Sequence, residues 1–509
     1  MSDAEAGGKS GEETPVYIEL NARLMRLSSA QNVQDRLAGT AILSALVDID
    51  TLETKQKFRI VKQIGALLKS SDMEVCAEAA ALYGKVIAKH WPEATNSAEK
   101  DVGMCLEWLS NERNDVRRMT ALLLLKALCT DTSTSLYSYI SKILTSLSSP
   151  LRDRRLDMRL AAAKALGACL KLVQKQDQAP RLSLLNYVFE DLQRDQQMGT
   201  AEGYHAMLLR YPELVKSGGM FMQAHFGHAS ELALKLKDHP DAVVRKAAIE
   251  LLPVLAQYSP HDFTKYAVGG ESLLTRTCSF LITQARTSER DRATAFLALA
   301  DIAKCCSTEF RPYLEPTMRA IRDTLAHRAK SRSVPAQTDE TAAAVLKTIS
   351  TLATAMGPAL TRYMRDILDL MFTTGLSQEL CGSLKILVCE VGQLRQAIHD
   401  RLLDMVSIIL AGVPFRPMQP CLDSLESRMG SVSLHYASST VASGLSSASL
   451  GDKSGGLSGS SVFSSEQTSL VVAAASNIPV TTEVIVLALR TLSEFDFSNE
   501  NLSEFVRNK

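Results

Sequence analysis

A short pattern of an acidic residue, an aliphatic residue and an arginine returns at nearly constant spacing, each time at the start of an apolar segment. Asp115-Val116-Arg117 begins one segment, and Asp157-Met158-Arg159 begins another, 42 positions later by the arginines. A third copy runs from Asp241 to Arg245, 86 positions further on, which is two periods of 43. A period near 40 residues is typical of stacked helical hairpins. The spacing therefore predicts an all-α solenoid.

Weaker copies of the pattern fill the gaps between these three and extend the series. Asp291-Arg292 and Glu340 continue it towards the C-terminus, and Gly203 occupies the arginine position of a degraded copy. Each unit consists of two antiparallel helices that cannot bury their apolar faces without neighbours. This is the architecture of HEAT repeats. The predicted anchor positions are 36, 76, 117, 159, 203, 245, 292 and about 340.

The recurring acid and arginine predict a structural role for the side chains at each second-helix start. Stacked copies would bring the arginine of one repeat near the aspartate of the next and form a ladder of ion pairs. Each exposed pair would contribute roughly 0–1 kcal/mol to stability. We favour this structural interpretation over a functional one. The predicted ladder residues are Asp115, Arg117, Asp157, Arg159, Asp241, Arg245, Asp291 and Arg292.

Composition narrows the class of protein. Lysine plus arginine and aspartate plus glutamate both number 56, so no net charge favours nucleic acid or an anionic membrane. The ten cysteines include no Cys-x-x-Cys pair, and no secretory signal precedes them, which predicts reduced thiols in a cytoplasmic protein. No apolar run approaches the roughly 18 residues that a membrane helix needs, so we expect no membrane insertion.

Changes in composition predict four segments. Residues 1–15 are polar and should form a disordered tail, and residues 16–415 should form the solenoid. Pro414, Pro417 and Pro420 then end the helical pattern, and a Ser/Gly-rich flexible linker occupies residues 416–478. Its serines are candidate phosphorylation sites by composition alone. Residues 479–509 look like the start of the next helical repeat, truncated before its second helix.

A search for catalytic chemistry returns no convincing candidate. The linker glycines Gly455, Gly456 and Gly459 lack the flanking strand and helix that a nucleotide-binding loop requires. His225 and His228 have metal-ligand spacing, but no carboxylate is placed to complete a site, and a structural contact is the favoured interpretation. No Ser/His/Asp or Cys/His arrangement can be argued. The sequence thus predicts no enzyme, no cofactor and no metal.

Several stretches resemble the N-terminal HEAT-repeat region of the target-of-rapamycin (TOR) serine/threonine kinases, over roughly residues 20 to 509. They occur in the order found in that family. Any one stretch is weak, because HEAT repeats resemble each other, whereas the ordered set is more specific. The stretches are Cys105 to Leu109, Arg113 to Arg118, Ile249 to Leu255, Arg292 to Leu299, Thr354 to Ala359 and Leu487 to Leu492.

The resemblance implies a curved solenoid that docks Raptor-type or Rictor-type regulatory subunits and helps a TOR complex to dimerise in growth and nutrient signalling. It also implies cytoplasmic localisation, with recruitment to endomembrane surfaces through partners. Kinase activity, ATP binding and rapamycin binding belong to regions of the implied parent that this sequence does not contain. The alternatives are an independent HEAT adaptor, of the transport-receptor or phosphatase-scaffold type, and an enzyme in its own right.

Overall fold

The computed structural model describes residues 15–49, 52–111, 113–131, 134–330 and 340–413, together with 415, 471, 474–476, 478, 480–495 and 497. Residues 1–14 of the predicted tail, most of the predicted linker and the residues after 497 lie outside the described residues. The chain divides into two compact units, with the boundary between Thr277 and Cys278. Each unit is a stack of helical hairpins.

The first unit contains six hairpins, each made of a first and a second helix. The first helices are α1 (Pro15–Ser28), α3 (Thr54–Leu67), α6 (Ala98–Asn111), α8 (Ile140–Leu151), α10 (Gln178–Met198) and α12 (Phe226–Leu236). The second helices are α2 (Val33–Val47), α4 (Met73–Ala88), α7 (Asp115–Asp131), α9 (Leu156–Gln174), α11 (Ala201–Gly218) and α13 (Ala242–Tyr258).

Short elements connect the hairpins of this unit. They are α5 (Pro92–Thr95), α14 (Pro260–Lys265) and two 3-10 turns, Thr134–Tyr139 and Gly219–His225. Strands β1 (Ala267–Val268) and β2 (Glu271–Ser272) pair antiparallel, with Val268 opposite Glu271. Gly269 and Gly270 both have positive φ, 63° and 92°, which a two-residue hairpin turn requires. Helix α15 (Leu273–Thr287) then contains the boundary between the units.

The second helices form the centre of the first unit because they are apolar on nearly every side. Successive second helices pack side by side, and each also contacts the first helix of its own hairpin. In α7, for example, Leu122, Leu124, Leu125 and Leu128 are all fully buried, although they point in different directions around the helix. Burial of each leucine side chain stabilises the fold by roughly 1.5–3 kcal/mol. A helix of this composition is stable only between neighbours.

The second unit repeats the arrangement. After α15 it contains α16 (Arg292–Cys305), α17 (Ser307–Lys330), α18 (Glu340–Met356), α19 (Thr361–Phe372), α20 (Gln378–Glu390), α21 (Arg395–Ala411) and α22 (Thr482–Glu494). The 3-10 turns Gly357–Leu360 and Gly392–Leu394 precede α19 and α21. Helices α16, α18 and α20 are second helices that pack in sequence. The prediction of an all-α, HEAT-type hairpin solenoid is therefore confirmed.

Helix α22 completes the hairpin that α21 begins, although 70 residues separate the two helices. Thr491 in α22 places its Oγ1 3.3 Å from Sγ of Cys381 in α20, the preceding second helix. The ring of Phe497, just after α22, lies 4.9 Å from that of His399 in α21. That a new repeat starts at residue 479 stays a prediction, because residues 498–509 lie outside the described residues. The contacts of α22 with α20 and α21 are those of a second helix in the hairpin that α21 begins, and on that assignment the predicted linker is an insertion within a hairpin.

One segment has the length and apolar character of a membrane span, which the sequence analysis does not expect. Within Glu340–Phe372, a window of 18 residues reaches a mean hydropathy of 1.2, and half of this window is buried inside the structure. The segment is not one straight helix, because Gly357 has a φ of 54° and separates α18 from α19. Packing of α18 between α16 and α20 accounts for its apolar composition.

Candidate interaction surface

All eight predicted anchor positions lie within the first four residues of second helices. Arg36, Cys76, Arg159 and Arg245 each occupy the fourth position, while residues 117 and 203 occupy the third and residues 292 and 340 the first. The repeat period read from the sequence therefore corresponds to the spacing of the second helices. The contacts of the predicted ladder residues differ from one repeat to the next.

Ion pairs do connect consecutive repeats near the helix starts, but through arginines other than the predicted ladder arginines. Arg118 donates to Asp153 of the following repeat at 2.8 Å, and Arg155 donates back to Asp115 at 2.9 Å. Arg36 forms an equivalent pair with Asp72. Arg117, the predicted ladder residue, has an exposed side chain at the start of α7. The inter-repeat contact thus comes from the anchor itself at Arg36, from the residue after the anchor at Arg118 and from the turn before α9 at Arg155.

Arg155 also contacts Asp157 at 2.5 Å, so this one guanidinium links two predicted ladder carboxylates. The hydrogen bonds that Arg155 donates to Asp157 and Asp115 raise the pKa of Arg155, and the one to Asp157 lowers the pKa of Asp157. The Arg155 and Asp157 side chains are about half exposed, so solvent screens the pair. Their contact orders the turn before α9 more than it stabilises the fold.

The predicted arginines of the later repeats bind backbone carbonyls in their own repeat. Arg159 is buried and donates to the Asp153 carbonyl at 2.9 Å, and Arg245 donates to the His239 carbonyl at 3.0 Å. Arg292 donates through Nε to the Ala285 carbonyl, also at 3.0 Å. These carbonyls lie at the end of the first helix or in the connecting turn. The arginines thus fix the angle between the two helices of a hairpin.

The aspartates of the same repeats act at the helix starts. Asp241 caps α13, because its carboxylate accepts hydrogen bonds from the backbone N–H groups of Val243 and Val244. The Asp291 carboxylate accepts a hydrogen bond of 3.2 Å from the Ser288 hydroxyl in the turn before α16. A ladder that runs through Arg117, Asp241, Arg245, Asp291 and Arg292 stays a prediction.

The most strongly buried charges form a cluster that the sequence analysis does not identify. We define the buried ionic cluster as Asp191 and Asp195 of α10, Arg210 of α11 and Arg152, which follows α8. Arg210 donates to Asp195 at 2.7 Å, and Arg152 donates to Asp191 at 2.9 Å. The Ser148 hydroxyl donates to Asp191 at 2.6 Å. The cluster therefore joins two consecutive repeats.

Charges in the buried ionic cluster compensate each other. Burial by itself would raise the pKa of Asp191, but Arg210, Ser148 and Arg152 together lower it below its ordinary value. Burial opposes the charge of Arg152, but the hydrogen bonds to Asp195 and Asp191 and their negative charges together outweigh this effect and raise the pKa of Arg152. A carboxylate held ionised by two guanidiniums is a poor proton donor or acceptor at neutral pH. The cluster therefore has the character of a structural brace.

The His225 and His228 pair adopts the structural contacts that the sequence analysis favours. The His225 ring stacks on Phe189 with centroids 3.8 Å apart, and Nδ1 of His228 lies 2.8 Å from the Tyr211 hydroxyl. The two histidines thus bind different neighbours. Within the described ranges, no group of three or more histidine, cysteine, aspartate or glutamate side chains is placed to hold a metal ion.

The clefts in the first unit are shallow. One, of about 600 Å³, lies between α2 and α4 and is lined by Leu37, Ala41, Ser44 and Lys85 among others. Another, of about 320 Å³, lies where α9 and α10 approach the 3-10 turn at Gly219. In the first cleft Lys85 Nζ donates to the Ser44 hydroxyl at 2.9 Å and to the Asp48 carboxylate at 3.0 Å, and neither cleft lining adds a recognisable oxyanion site to complete an active site. The long faces of the stacked helices are therefore the stronger candidates for function.

We call the solvent-exposed sides of α2, α4, α7, α9, α11 and α13 the second-helix face. It is continuous in the first unit because these helices pack side by side. Helix α9 shows how little of each second helix it includes, since 13 of its 19 residues are buried. A surface built this way can bind an extended partner without forming a pocket.

Comparison with known proteins agrees with the TOR resemblance. No family model matches the chain. Serine/threonine-protein kinase tor1 of Schizosaccharomyces pombe is 29% identical over 398 residues, which cover 78% of this chain and 16% of the relative. Serine/threonine-protein kinase TOR of Arabidopsis thaliana is 25% identical over 506 residues, which cover 98% of this chain and 18% of the relative. The chain thus spans about one sixth of the length of these relatives.

Among solved structures, one chain of a Kap95:Nup1 complex aligns with a TM-score of 0.50 at 15% identity, over 77% of this chain and 49% of that one. This likeness concerns the fold alone. The similarity to the N-terminal HEAT region of TOR serine/threonine kinases is confirmed, as is the helical scaffold character of the chain. The matched region of the TOR relatives contains no kinase domain, and the described residues of this chain form HEAT helices.

Proposed function

We propose that this chain is the regulatory-subunit docking region of a TOR-type serine/threonine kinase and acts as a scaffold in growth and nutrient signalling. The observation that carries the proposal is the stack of second helices within each unit, in a chain most of which aligns with TOR relatives. The buried ionic cluster stabilises the stack in the first unit, and the exposed second-helix face is the surface available to bind a partner. The partners we propose are Raptor-like or Rictor-like subunits, with homodimerisation inside the complex.

The proposal places the protein in the cytoplasm, with recruitment to endomembranes through its partners. The neutral net charge supports this indirect route, because it provides no general attraction to anionic lipid. Imaging of a tagged chain tests it. Endomembrane signal should disappear when the partner subunit is depleted, and signal that persists without the partner would count against recruitment through partners.

Co-purification tests the scaffold function itself. The full chain carries an affinity tag and is expressed in its own cells, and the bound proteins are identified by mass spectrometry. We expect a Raptor-like or Rictor-like subunit among them. Recovery of nuclear-transport or phosphatase subunits in their place would support the independent HEAT adaptor and reject the proposal. A tagged unrelated HEAT protein serves as the control for nonspecific capture.

A phosphotransfer assay separates the scaffold from an enzyme. Purified chain is incubated with radiolabelled ATP and a peptide substrate, and we expect no transfer above the level of a heat-denatured sample. The physical reason is the absence, among the described side chains, of a cluster that could hold the metal and phosphates of ATP. Transfer that depends on the folded chain would contradict the scaffold assignment.

A further inference from the structure

The exposed stripe of α9 combines apolar and basic side chains. Leu156, Leu160, Lys164 and Lys171 all have exposed side chains, and the two leucines are 41% and 40% exposed. At 100° per residue these four positions lie within about 80° of the helix circumference. They therefore share one side of α9, on the second-helix face. The other sides of α9 pack against α7, α8 and α11.

Helix α7 adds a third lysine to this surface. Lys126 is exposed, and the 42-residue offset between the Arg117 and Arg159 anchors aligns it with position 168 of α9. It therefore lies between the levels of Lys164 and Lys171, on a neighbouring helix whose axis is about 10 Å away. We call Lys126, Lys164, Lys171, Leu156 and Leu160 the lysine–leucine stripe.

The lysines of the stripe are not neutralised locally. In the part of the chain that the structure describes, none of Lys126, Lys164 and Lys171 forms an ion pair. Carboxylates nearby along the face already have cationic partners. Asp157 at the start of α9 contacts Arg155, and Glu213 on α11 contacts Lys216 at 2.9 Å. The stripe is thus a local cluster of three positive charges in a chain with no net charge.

Glu213 of α11 places a carboxylate on the stripe side of α9. Its carboxylate covers Gly167 of α9, where an added Cβ would lie 2.1 Å from Glu213 Oε2. Gly167 lies on the same side of α9 as Lys164 and Lys171 and between them along the helix, so the Glu213 carboxylate, which is paired with Lys216, lies between these two lysines. At the other end, the carboxylates of Asp115 and Asp157 border the leucines.

We propose that the lysine–leucine stripe binds an acidic segment of a partner protein that presents leucine-like side chains at helical spacing. This inference rests on the proposed scaffold function and names the chemistry of one contact that the scaffold makes. The lysines attract the acidic side chains, and burial of Leu156 and Leu160 supplies the apolar contribution. An anionic membrane is the less suitable ligand, because the chain as a whole has no net charge that would attract it to anionic lipid.

A synthetic peptide tests the proposal. The probe is a fluorescein-labelled helix of about 15 residues, with glutamate on one side and leucine on the other. Fluorescence anisotropy measures its binding to the purified full chain. The variant Lys126→Glu/Lys164→Glu/Lys171→Glu should bind at least about tenfold more weakly in low salt, and added salt should reduce the difference. The variant Leu156→Ser/Leu160→Ser should also weaken binding and leave the salt dependence in place.

A matched control variant changes three other lysines. Lys55 and Lys62 of α3 and Lys100 of α6 are exposed residues of first helices and form no ion pair within the described residues. The variant Lys55→Glu/Lys62→Glu/Lys100→Glu changes the net charge equally and should bind the probe like wild type. Equal losses in both triple variants would overturn the proposal, because they would indicate a general charge effect. Circular dichroism spectra that match wild type show that each variant is folded.

Two further measurements separate this inference from the proposed function. Sedimentation with vesicles that contain phosphatidylserine should show no binding that depends on Lys126, Lys164 and Lys171, and such binding would replace the peptide proposal with a membrane site. Co-purification of the stripe variant should recover less of the partner subunit than the control variant does. Full recovery together with lost peptide binding would overturn the stripe as the docking contact and leave the scaffold function standing.

Discussion

Arg210 and Asp195 form a nearly solvent-free ion pair, in which Arg210 Nε donates to Asp195 Oδ2 at 2.7 Å. The pair joins α11 to α10 within one repeat. Arg152 of the preceding repeat donates to the other oxygen of the same carboxylate at 2.5 Å. One aspartate thus compensates two guanidiniums from consecutive repeats. The pair makes this part of the solenoid depend on both neighbours at once.

Replacement of Asp195 by asparagine should destabilise the first unit strongly. The asparagine would keep the size of the side chain but leave Arg210 and Arg152 without half of their anionic partners. Removal of one partner from a buried pair costs about 3–5 kcal/mol, because the remaining charge is left uncompensated. Urea unfolding followed by circular dichroism measures this loss. Asp157→Asn is the control, since Asp157 is 54% exposed and its substitution should change stability little; similar losses in both variants would contradict the brace.

His205 should make the fold less stable as the solution is acidified. Its Nδ1 accepts a hydrogen bond of 2.9 Å from Arg159, and burial together with Arg159 lowers the pKa of His205 to about 4. In the unfolded chain the pKa returns to about 6.5. The unfolded state therefore binds the proton between pH 6.5 and 4 while the folded state does not. The contribution of His205 to the free energy of unfolding is therefore constant above pH 6.5 and decreases by about 3 kcal/mol as the pH falls to 4.

The measurement compares wild type with His205→Gln, whose side-chain oxygen can still accept from Arg159. We expect the difference in unfolding free energy between wild type and variant to fall by about 3 kcal/mol between pH 7 and pH 4. His261→Gln is the matched control, because His261 is 71% exposed. A difference that does not change with pH would show that His205 is not kept neutral by the fold.

The sequence predicted the positions of the second helices well, because a repeat period survives wherever the same packing problem recurs. Arg159 and Arg245 mark the fourth residue of α9 and α13 as expected. Their partners were not predictable in the same way. Spacing places an arginine at a helix start, but whether it contacts a carboxylate of the next repeat or a carbonyl of its own turn depends on side-chain packing that periodicity does not encode.

The buried ionic cluster was missed for a similar reason. Asp191 and Asp195 are spaced i, i+4 on α10, with Arg194 between them, and such a run normally indicates a solvated helix side. Their burial follows from Arg210, 19 positions from Asp191, which reaches it when the hairpin closes, and from Arg152, 39 positions away, which reaches it only after the repeats stack. The available signal was Arg210 within the otherwise apolar run from Met207 to Pro212 of α11.

The glycine at anchor position 203 has a steric reason, which leads to a third prediction. A Cβ on Gly203 would lie 2.8 Å from the backbone carbonyl oxygen of Asp195, and backbone cannot yield as a flexible side chain can. Gly203→Ala should therefore destabilise the fold by about 1–3 kcal/mol, although alanine is the better helix former. The control is Gly103→Ala in α6, where an added Cβ meets nothing within 4 Å. Thermal unfolding should show a lower Tm for the first variant and an unchanged or higher Tm for the second.

Helix α22 depends on packing for its position, because 70 residues separate its start from the end of α21. Contacts with α20 and α21 hold α22 in place. Ala488 is fully buried, whereas its neighbour Leu489 is 54% exposed. A carboxylate at position 488 would be buried without a partner, and at position 489 it would remain in water. The two adjacent positions therefore form a matched pair of test sites.

We expect Ala488→Asp to release α22 and Leu489→Asp to leave it docked. Hydrogen exchange followed by mass spectrometry reads this directly, since released amides exchange faster. Protection in α22 should fall by about two orders of magnitude or more in Ala488→Asp, in line with a cost of about 3 kcal/mol for an unpaired buried polar group. Amides of α7 in the first unit provide the internal reference and should exchange as in wild type. Equal exchange in the two variants would mean that α22 does not complete the hairpin begun by α21, and that the insertion ends a repeat instead of interrupting one.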